Sequence, residues 1–118
     1  QNPLKWVESA GLRVGMHNDT PSSGPSALFS MWTAVNRKTL GGATLGPDQR
    51  ISPYRALQGF TSSPAYQYKE EFTKGKLAKG MLADLVVLDQ NPLKVDANEI
   101  KNIRVLKTIK GGVERYSR

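Results

Sequence analysis

His17-Asn18-Asp19-Thr20-Pro21 is the stretch of this chain best equipped for chemistry, since it places the single histidine two residues before a carboxylate. Zinc accepts imidazole and carboxylate ligands, and a carboxylate within hydrogen-bond reach can take a proton from an attacking water. One His and one Asp are nevertheless too few for a tight zinc site. Cysteine is absent, which excludes Cys-ligated metals and disulfide scaffolds. On residue types alone the stretch reads as a polar turn, with Asp19 as a turn or capping residue before Pro21. His17 has two readings: a strand-end side chain bonded to backbone, or a pocket-lining residue in contact with substrate.

Other constellations carry less. Gly41-Gly42-Ala43-Thr44-Leu45-Gly46 is glycine-rich but lacks the Lys-Ser/Thr of a phosphate loop, so it reads as a flexible loop. Ser22, Ser23, Ser26 and Ser30 have no His/Asp array to make a nucleophile of any of them. Trp32, with Leu28 and Met31, reads as core. Lys107, Lys110 and Arg115 fall on a final hairpin, where lysine discourages edge-to-edge strand pairing.

The elements that must position these residues follow from pattern. Residues 3–10 read as a short helix with Pro3 in its first turn and Gly11 as its stop. Residues 12–16 alternate as a strand, with Leu12, Val14 and Met16 on one face, and His17 to Pro21 follow at its C-terminal end. Continuing the strand would turn His17 and Asp19 to the same face. Ser26 caps a helix over 27–35, whose Leu28, Met31, Trp32 and Val35 share a face. Residues 36–50 form a loop. Ser52 and Pro53 open the next helix, in which Tyr54, Leu57 and Phe60 are spaced for one face. Thr61 to Pro64 should break it, with a further helical turn within 65–71. Residues 83–89 form a strand whose continuous apolar centre suggests burial on both faces. Residues 96–100 suggest one helical turn. Residues 103–110 and 113–116 flank Gly111-Gly112, a β-hairpin signal, because a type I′ turn needs positive φ at both central residues.

Length and charge set outer bounds. The chain has 118 residues, 38% apolar and 23% charged, enough for one domain or a piece of a larger one. No apolar run approaches the roughly 20 residues of a bilayer-spanning helix. The net charge is +7, but residues 1–68 carry 6 basic and 3 acidic groups against 11 and 7 in residues 69–118, so the excess is dispersed. A solvated surface accounts for it. The start, Gln1-Asn2-Pro3, has neither an initiator Met nor a signal-peptide pattern and reads as a cut end.

A family resemblance emerges from longer motifs. Residues 3–14, ending Ala10-Gly11-Leu12-Arg13-Val14, followed by His17-Asn18-Asp19-Thr20-Pro21, resemble the last barrel strand of the amidohydrolase superfamily, in the branch called amidohydrolase family 3. Ile51-Ser52-Pro53-Tyr54-Arg55-Ala56-Leu57 with Thr61, Pro64 and Ala65 resembles its following helices. Gly75-Lys76-Leu77, Gly80, Ala83-Asp84-Leu85-Val86-Val87-Leu88-Asp89, Asn91-Pro92-Leu93 and the Gly111-Gly112 hairpin are similar to its closing segment.

The resemblance implies an α/β-plus-β fold: the last strand/helix unit of a (β/α)8 barrel in residues 1–65, joined to the C-terminal part of a small β-sandwich in residues 66–118. It implies a metal-dependent hydrolase acting on carbon–nitrogen bonds other than peptide bonds. Asp19 then contacts a divalent metal, expected to be zinc, and acts as general base; His17 is the candidate substrate contact. The remaining ligands would lie upstream of Gln1. The sequence is therefore expected to be the C-terminal portion of a larger enzyme, inactive alone and holding no metal tightly. The expected partners are the rest of the parent polypeptide, a small amide-like substrate and, through uncovered strand edges at residues 12–16, further copies of the chain. Neither nucleic acid nor a membrane is expected, and the location is expected to be cytoplasmic. The rival reading is a non-catalytic regulatory or binding module of the exoenzyme-regulator kind. It requires Lys101, Arg104, Lys107, Lys110, Arg115 and Arg118 to gather on one face for nucleic acid, whereas strand alternation separates Lys107 from Lys110.

Overall fold

Two serines start the helices around which the core is built. The structure, a computed structural model, describes residues 2–21 and 24–118. The Ser26 hydroxyl accepts the Phe29 N–H (3.2 Å) and caps α2, Ala27–Asn36; α1, Leu4–Ser9, precedes it. The Ser52 hydroxyl accepts the Arg55 N–H (3.2 Å) and caps α3, Pro53–Gln58, with Pro53 at the first helical position. Side chains of this kind satisfy N–H groups that the first helical turn leaves without partners.

The face of α2 predicted to be apolar is the core. Met31, Trp32, Ala34 and Val35 are buried with Ile51 and Ala56. The Trp32 ring stacks on Phe29 at 5.4 Å and lies under the Lys101 ammonium at 4.4 Å. On α3, Leu57 packs with Phe60 just beyond the helix, but Tyr54 is exposed rather than sharing their face. The predicted break after α3 lies at residues 59–61, and α4, Ser62–Gln67, takes in Pro64, which the sequence places within the break. Proline is tolerated there because a first-turn N–H has no intrahelical partner to lose.

The loop after α2 is closed by Arg37. This residue is 4% exposed, has φ 58° and ends the helix by donating its N–H to the Thr33 carbonyl (2.7 Å). Its guanidinium reaches back, Nε to the Leu45 carbonyl (3.1 Å) and Nη1 to the Asn2 carbonyl (2.8 Å). One side chain thus ties α2, the glycine-rich loop and the start of the chain together.

The C-terminal half forms a three-stranded antiparallel sheet in the order β1, Leu85–Leu88, then β2, Val105–Lys110, then β3, Val113–Ser117. Gly111 and Gly112 link β2 to β3 with φ 58° and 80°, the positive values a two-residue hairpin turn demands. The turn docks on β1: Gly112 N–H donates to the Ala83 carbonyl (3.0 Å) and Gly111 N–H to Asp84 Oδ1 (2.8 Å). The predicted helical turn near residue 96 is a 3-10 helix, Ala97–Asn102, capped by Asp96. Its Ile100 is fully buried in the α2 core, and Asn36 Nδ2 donates to the Ala97 carbonyl (2.9 Å).

Two strand expectations fail for one reason. Residues 12–16 form coil, with no β-ladder. β1 is a strand, but Val86 and Val87 are 52% and 41% exposed, so it is not buried on both faces. A strand needs a neighbour to bond and a layer to pack against. Residues 12–16 lack the first, and β1 has only β2 on one side.

Candidate functional site

The coil of residues 12–21 carries the candidate chemistry, and hydrogen bonds to α1, α2 and the end of α3 help hold it. Leu12 N–H donates to the Val7 carbonyl (3.3 Å) as the chain leaves α1. Met16 N–H donates to the Gly59 carbonyl (2.9 Å) at the end of α3. Residue 59 must be small here, since a Cβ would lie 2.9 Å from Met16 Cγ and 3.1 Å from the Ala56 oxygen. The Ser30 hydroxyl on α2 donates to Asn18 Oδ1. Asn18 is therefore structural, and it sits between the two residues of chemical interest.

His17 and Asp19 are both exposed. Asp19 adopts φ 53°, a left-handed conformation that a short polar side chain tolerates, and the Thr20–Pro21 peptide is cis. The shared face expected for His17 and Asp19 required an extended strand through residue 19. The coil and the left-handed residue remove that requirement's basis. His17 makes no hydrogen bond with another described residue, so it is not the backbone-bonded strand-end histidine. Ser22 and Ser23 lie outside the described residues.

The metal expectation can be tested on these donors. Among the described residues no group of three or more His, Cys, Asp or Glu converges. A zinc site needs at least three protein ligands. To such a zinc site the described residues of this segment bring one carboxylate, that of Asp19, beside the exposed His17.

Two clefts lie elsewhere. A cleft of about 460 Å³ is lined by Glu8, Arg13, Arg55, Gln58, Ser62 and Ser63 among others. Glu8 there receives Arg55 Nε (3.1 Å) and Lys5 Nζ (3.5 Å), and the Arg13 guanidinium lies 3.9 Å over the Tyr66 ring. A larger, more apolar groove of about 930 Å³ runs between α3, α4 and β1, past Leu57, Phe60, Tyr68, Leu77, Leu85 and Val87. Neither contains His17 or Asp19. Sequence reading missed both, and missed Ser30 and Gly59 as supports of residues 16–18, because each contact joins residues far apart with no local periodicity. Beside the groove, the hydrogen bond from Lys74 to Glu70 (2.8 Å) raises the lysine's pKa above its ordinary value.

The sequence profile of the Amidohydrolase family matches residues 2–116. The chain is 36% identical over 116 residues to an N-substituted formamide deformylase of Arthrobacter pascens, covering 98% of this chain and 21% of that protein. It is 30% identical over 90 residues to the imidazolonepropionase of Treponema denticola, covering 74% of this chain and 19% of the relative. Its fold is similar to part of an amidohydrolase from Thermotoga maritima MSB8, with a TM-score of 0.72 and 22% identity over 95% of this chain and 25% of that one. The chain thus spans about a fifth of the length of the curated relatives it matches. No helix of the described residues is long and apolar enough to cross a membrane.

Proposed function

This chain belongs to the amidohydrolase family, and from that membership we propose that it is part of a hydrolase acting on carbon–nitrogen bonds other than peptide bonds, with Asp19 as its catalytic carboxylate. The observation that carries the reading is the family match across residues 2–116, which includes the segment of Asp19. The deformylase relative favours a formamide or similar small amide as substrate.

Within that reading, Asp19 accepts a proton from the attacking water and returns it to the departing amine. Its exposure and its lack of an ion pair among the described residues leave the carboxylate available for this. A divalent cation, expected to be zinc, would be contacted by Asp19 and would supply an acidified water, with its other ligands expected from the rest of the parent polypeptide. His17 lies close enough in sequence to reach the same substrate. Residues 1–118 alone are expected to be inactive and to bind metal weakly.

The regulatory reading has less behind it. Of its six cations, Lys107 is spent on Glu114 (3.0 Å) and Lys101 on the Trp32 ring. The test is Asp19→Asn in the full-length polypeptide, assayed on formamide-type substrates. Loss of a general base should lower kcat by about 10²-fold or more with an unchanged circular-dichroism spectrum. A fully active variant would remove Asp19 from the chemistry.

A further inference from the structure

The cleft of about 460 Å³ between α1, the coil at residues 11–14, α3 and α4 is unbalanced in charge. Among the described residues its lining sets Arg13, Arg55 and Lys76 against one carboxylate, Glu8. That carboxylate is already countered twice, at Oε1 by Arg55 Nε (3.1 Å) and at Oε2 by Lys5 Nζ (3.5 Å). Arg13 and Lys76 are not countered: neither makes an ion pair or a hydrogen bond with another described residue. A concave wall carrying one sign of uncompensated charge focuses its field into the cleft and draws in the opposite sign.

The donors left open are of the kinds that hold an oxyanion. Arg13 rests over the Tyr66 ring, 3.9 Å from its centroid, a contact that steadies the guanidinium without using its N–H groups. Arg55 spends Nε on Glu8 and Nη1 on Gln58 Oε1 (3.0 Å), which leaves Nη2 uncommitted among the described residues. Ser62 and Ser63 of α4 add two hydroxyls with no partner among the described residues, and Ser63 is buried. Leu4, Leu12 and Ile51 also line the cleft and give it apolar surface for a carbon group.

We propose that this cleft binds a small organic dianion of the phosphate-monoester class. Arg13 and Lys76 match its two negative charges, where a monocarboxylate would leave one cation uncompensated. Arg55 Nη2 and the serine hydroxyls donate to its remaining oxygens, and its carbon group lies against Leu4, Leu12 and Ile51. Neither His17 nor Asp19 lines the cleft, so the site is separate from the candidate chemistry and does not depend on the role given to Asp19. A bound anion bridges Arg13 on the coil to Arg55 on α3 and the serines of α4.

The probes are phenyl phosphate, inorganic phosphate and benzoate at about pH 7.5, where a phosphate monoester is close to doubly charged. Sodium chloride at matched ionic strength is the blank. Amide NMR of the 118-residue chain should show saturable shifts at Gly11, Arg13, Ser62, Ser63 and Lys76 with phenyl phosphate and none with the blank. Phenyl phosphate should bind roughly three- to tenfold more tightly than inorganic phosphate, which has no carbon group to bury. It should bind roughly tenfold more tightly than benzoate, which carries one charge. Lys76→Met removes a cation and should weaken phenyl phosphate roughly three- to tenfold. Arg13→Lys keeps the charge but loses the planar fork, and should weaken it by roughly the same factor. In the full-length polypeptide, phenyl phosphate should raise Tm above the chloride blank. Lys76→Met should lose most of that rise, which separates the cleft from phosphate bound at a metal. No saturable shift at these residues, or binding unmoved by both variants, would overturn the proposal. Benzoate bound as tightly as phenyl phosphate would overturn the dianion, and inorganic phosphate bound as tightly would overturn the carbon group. A full-length polypeptide with no Lys76-dependent stabilisation would show that the polypeptide itself fills the cleft, and would overturn the site. That measurement decides by itself if the short chain gives no dispersed spectrum.

Discussion

Arg37→Ala is the substitution whose cost can be worked most directly from the structure. The guanidinium is buried and donates to two backbone carbonyls, those of Leu45 and Asn2. No carboxylate among the described residues lies within ion-pair distance of it. A hydrogen bond from a charged donor is worth about 1.5–3 kcal/mol, so the two bonds amount to about 3–6 kcal/mol gross. Removing the charge also relieves its burial, which offsets part of that loss and leaves about 3 kcal/mol of destabilisation. Arg37→Gly loses the same bonds but relieves the left-handed backbone, worth about 1 kcal/mol, so its net cost is about 2 kcal/mol. For a chain of this size each kcal/mol shifts Tm by about 3–4 °C, which places Arg37→Ala about 10 °C and Arg37→Gly about 7 °C below the parent. Urea and thermal unfolding followed by circular dichroism measure both. An Arg37→Ala variant within about 1 kcal/mol of the parent would refute the tether, because the loss of two charge-assisted hydrogen bonds would then cost nothing; the Asn2 carbonyl keeps the Leu4 N–H (2.9 Å) in either case. A Gly variant less stable than the Ala variant would refute the strain at residue 37.

Ser30→Ala removes the donor that holds Asn18 and should cost about 1 kcal/mol in the chain. In the full-length polypeptide it should lower kcat with little change in KM, and Ser30→Thr should restore part of the loss. Gly111→Ala with Gly112→Ala places two Cβ atoms at positive φ and should cost about 2–4 kcal/mol, read as a fall in the urea midpoint. The hydrogen bond from Lys74 to Glu70 contributes stability that is present below the unfolded lysine's pKa and is lost as pH rises through the raised folded value. Lys74→Met should therefore show a shallower alkaline fall in stability than the parent; an identical fall would exclude the pair as its source.

What the sequence revealed is what local chemistry decides. Ser26, Ser52 and Pro53 announce helix starts because their side chains or ring serve the first turn itself. Gly111-Gly112 announces a hairpin because the turn requires two positive φ values. Met31, Trp32 and Val35 share a face by spacing alone. Sequence pattern and structure part where a neighbour decides. Residues 12–16 have a strand's alternation but no strand to bond with, and β1 has a buried strand's composition but no second layer. Pro64 reads as a breaker because the sequence does not show which residue opens α4. Asp19 stood out only through the motifs around it; as an isolated aspartate before a proline it is an ordinary turn residue. The contacts that place its segment, Ser30 to Asn18 and Met16 to Gly59, span 12 and 43 positions and leave no periodic trace.

The position of Asp19 is therefore a property of the helices. Among the described residues no ladder pairs with 12–19, and the hydrogen bonds at residues 16 and 18, which come from the end of α3 and from α2, help set the carboxylate's place. Those helices are held to each other by one core, in which Ile51 and Ala56 meet Met31, Ala34 and Val35. Ile100 enters the same core from the C-terminal half, and Asn36 bonds the Ala97 carbonyl beside it. A general base must be held within hydrogen-bond reach of its proton, and small displacements of such a group are costly to rate. Packing at Ile100 thus reaches Asp19 through α2 and the Ser30–Asn18 bond. The C-terminal half contributes to the candidate site by fixing the helix that fixes the coil.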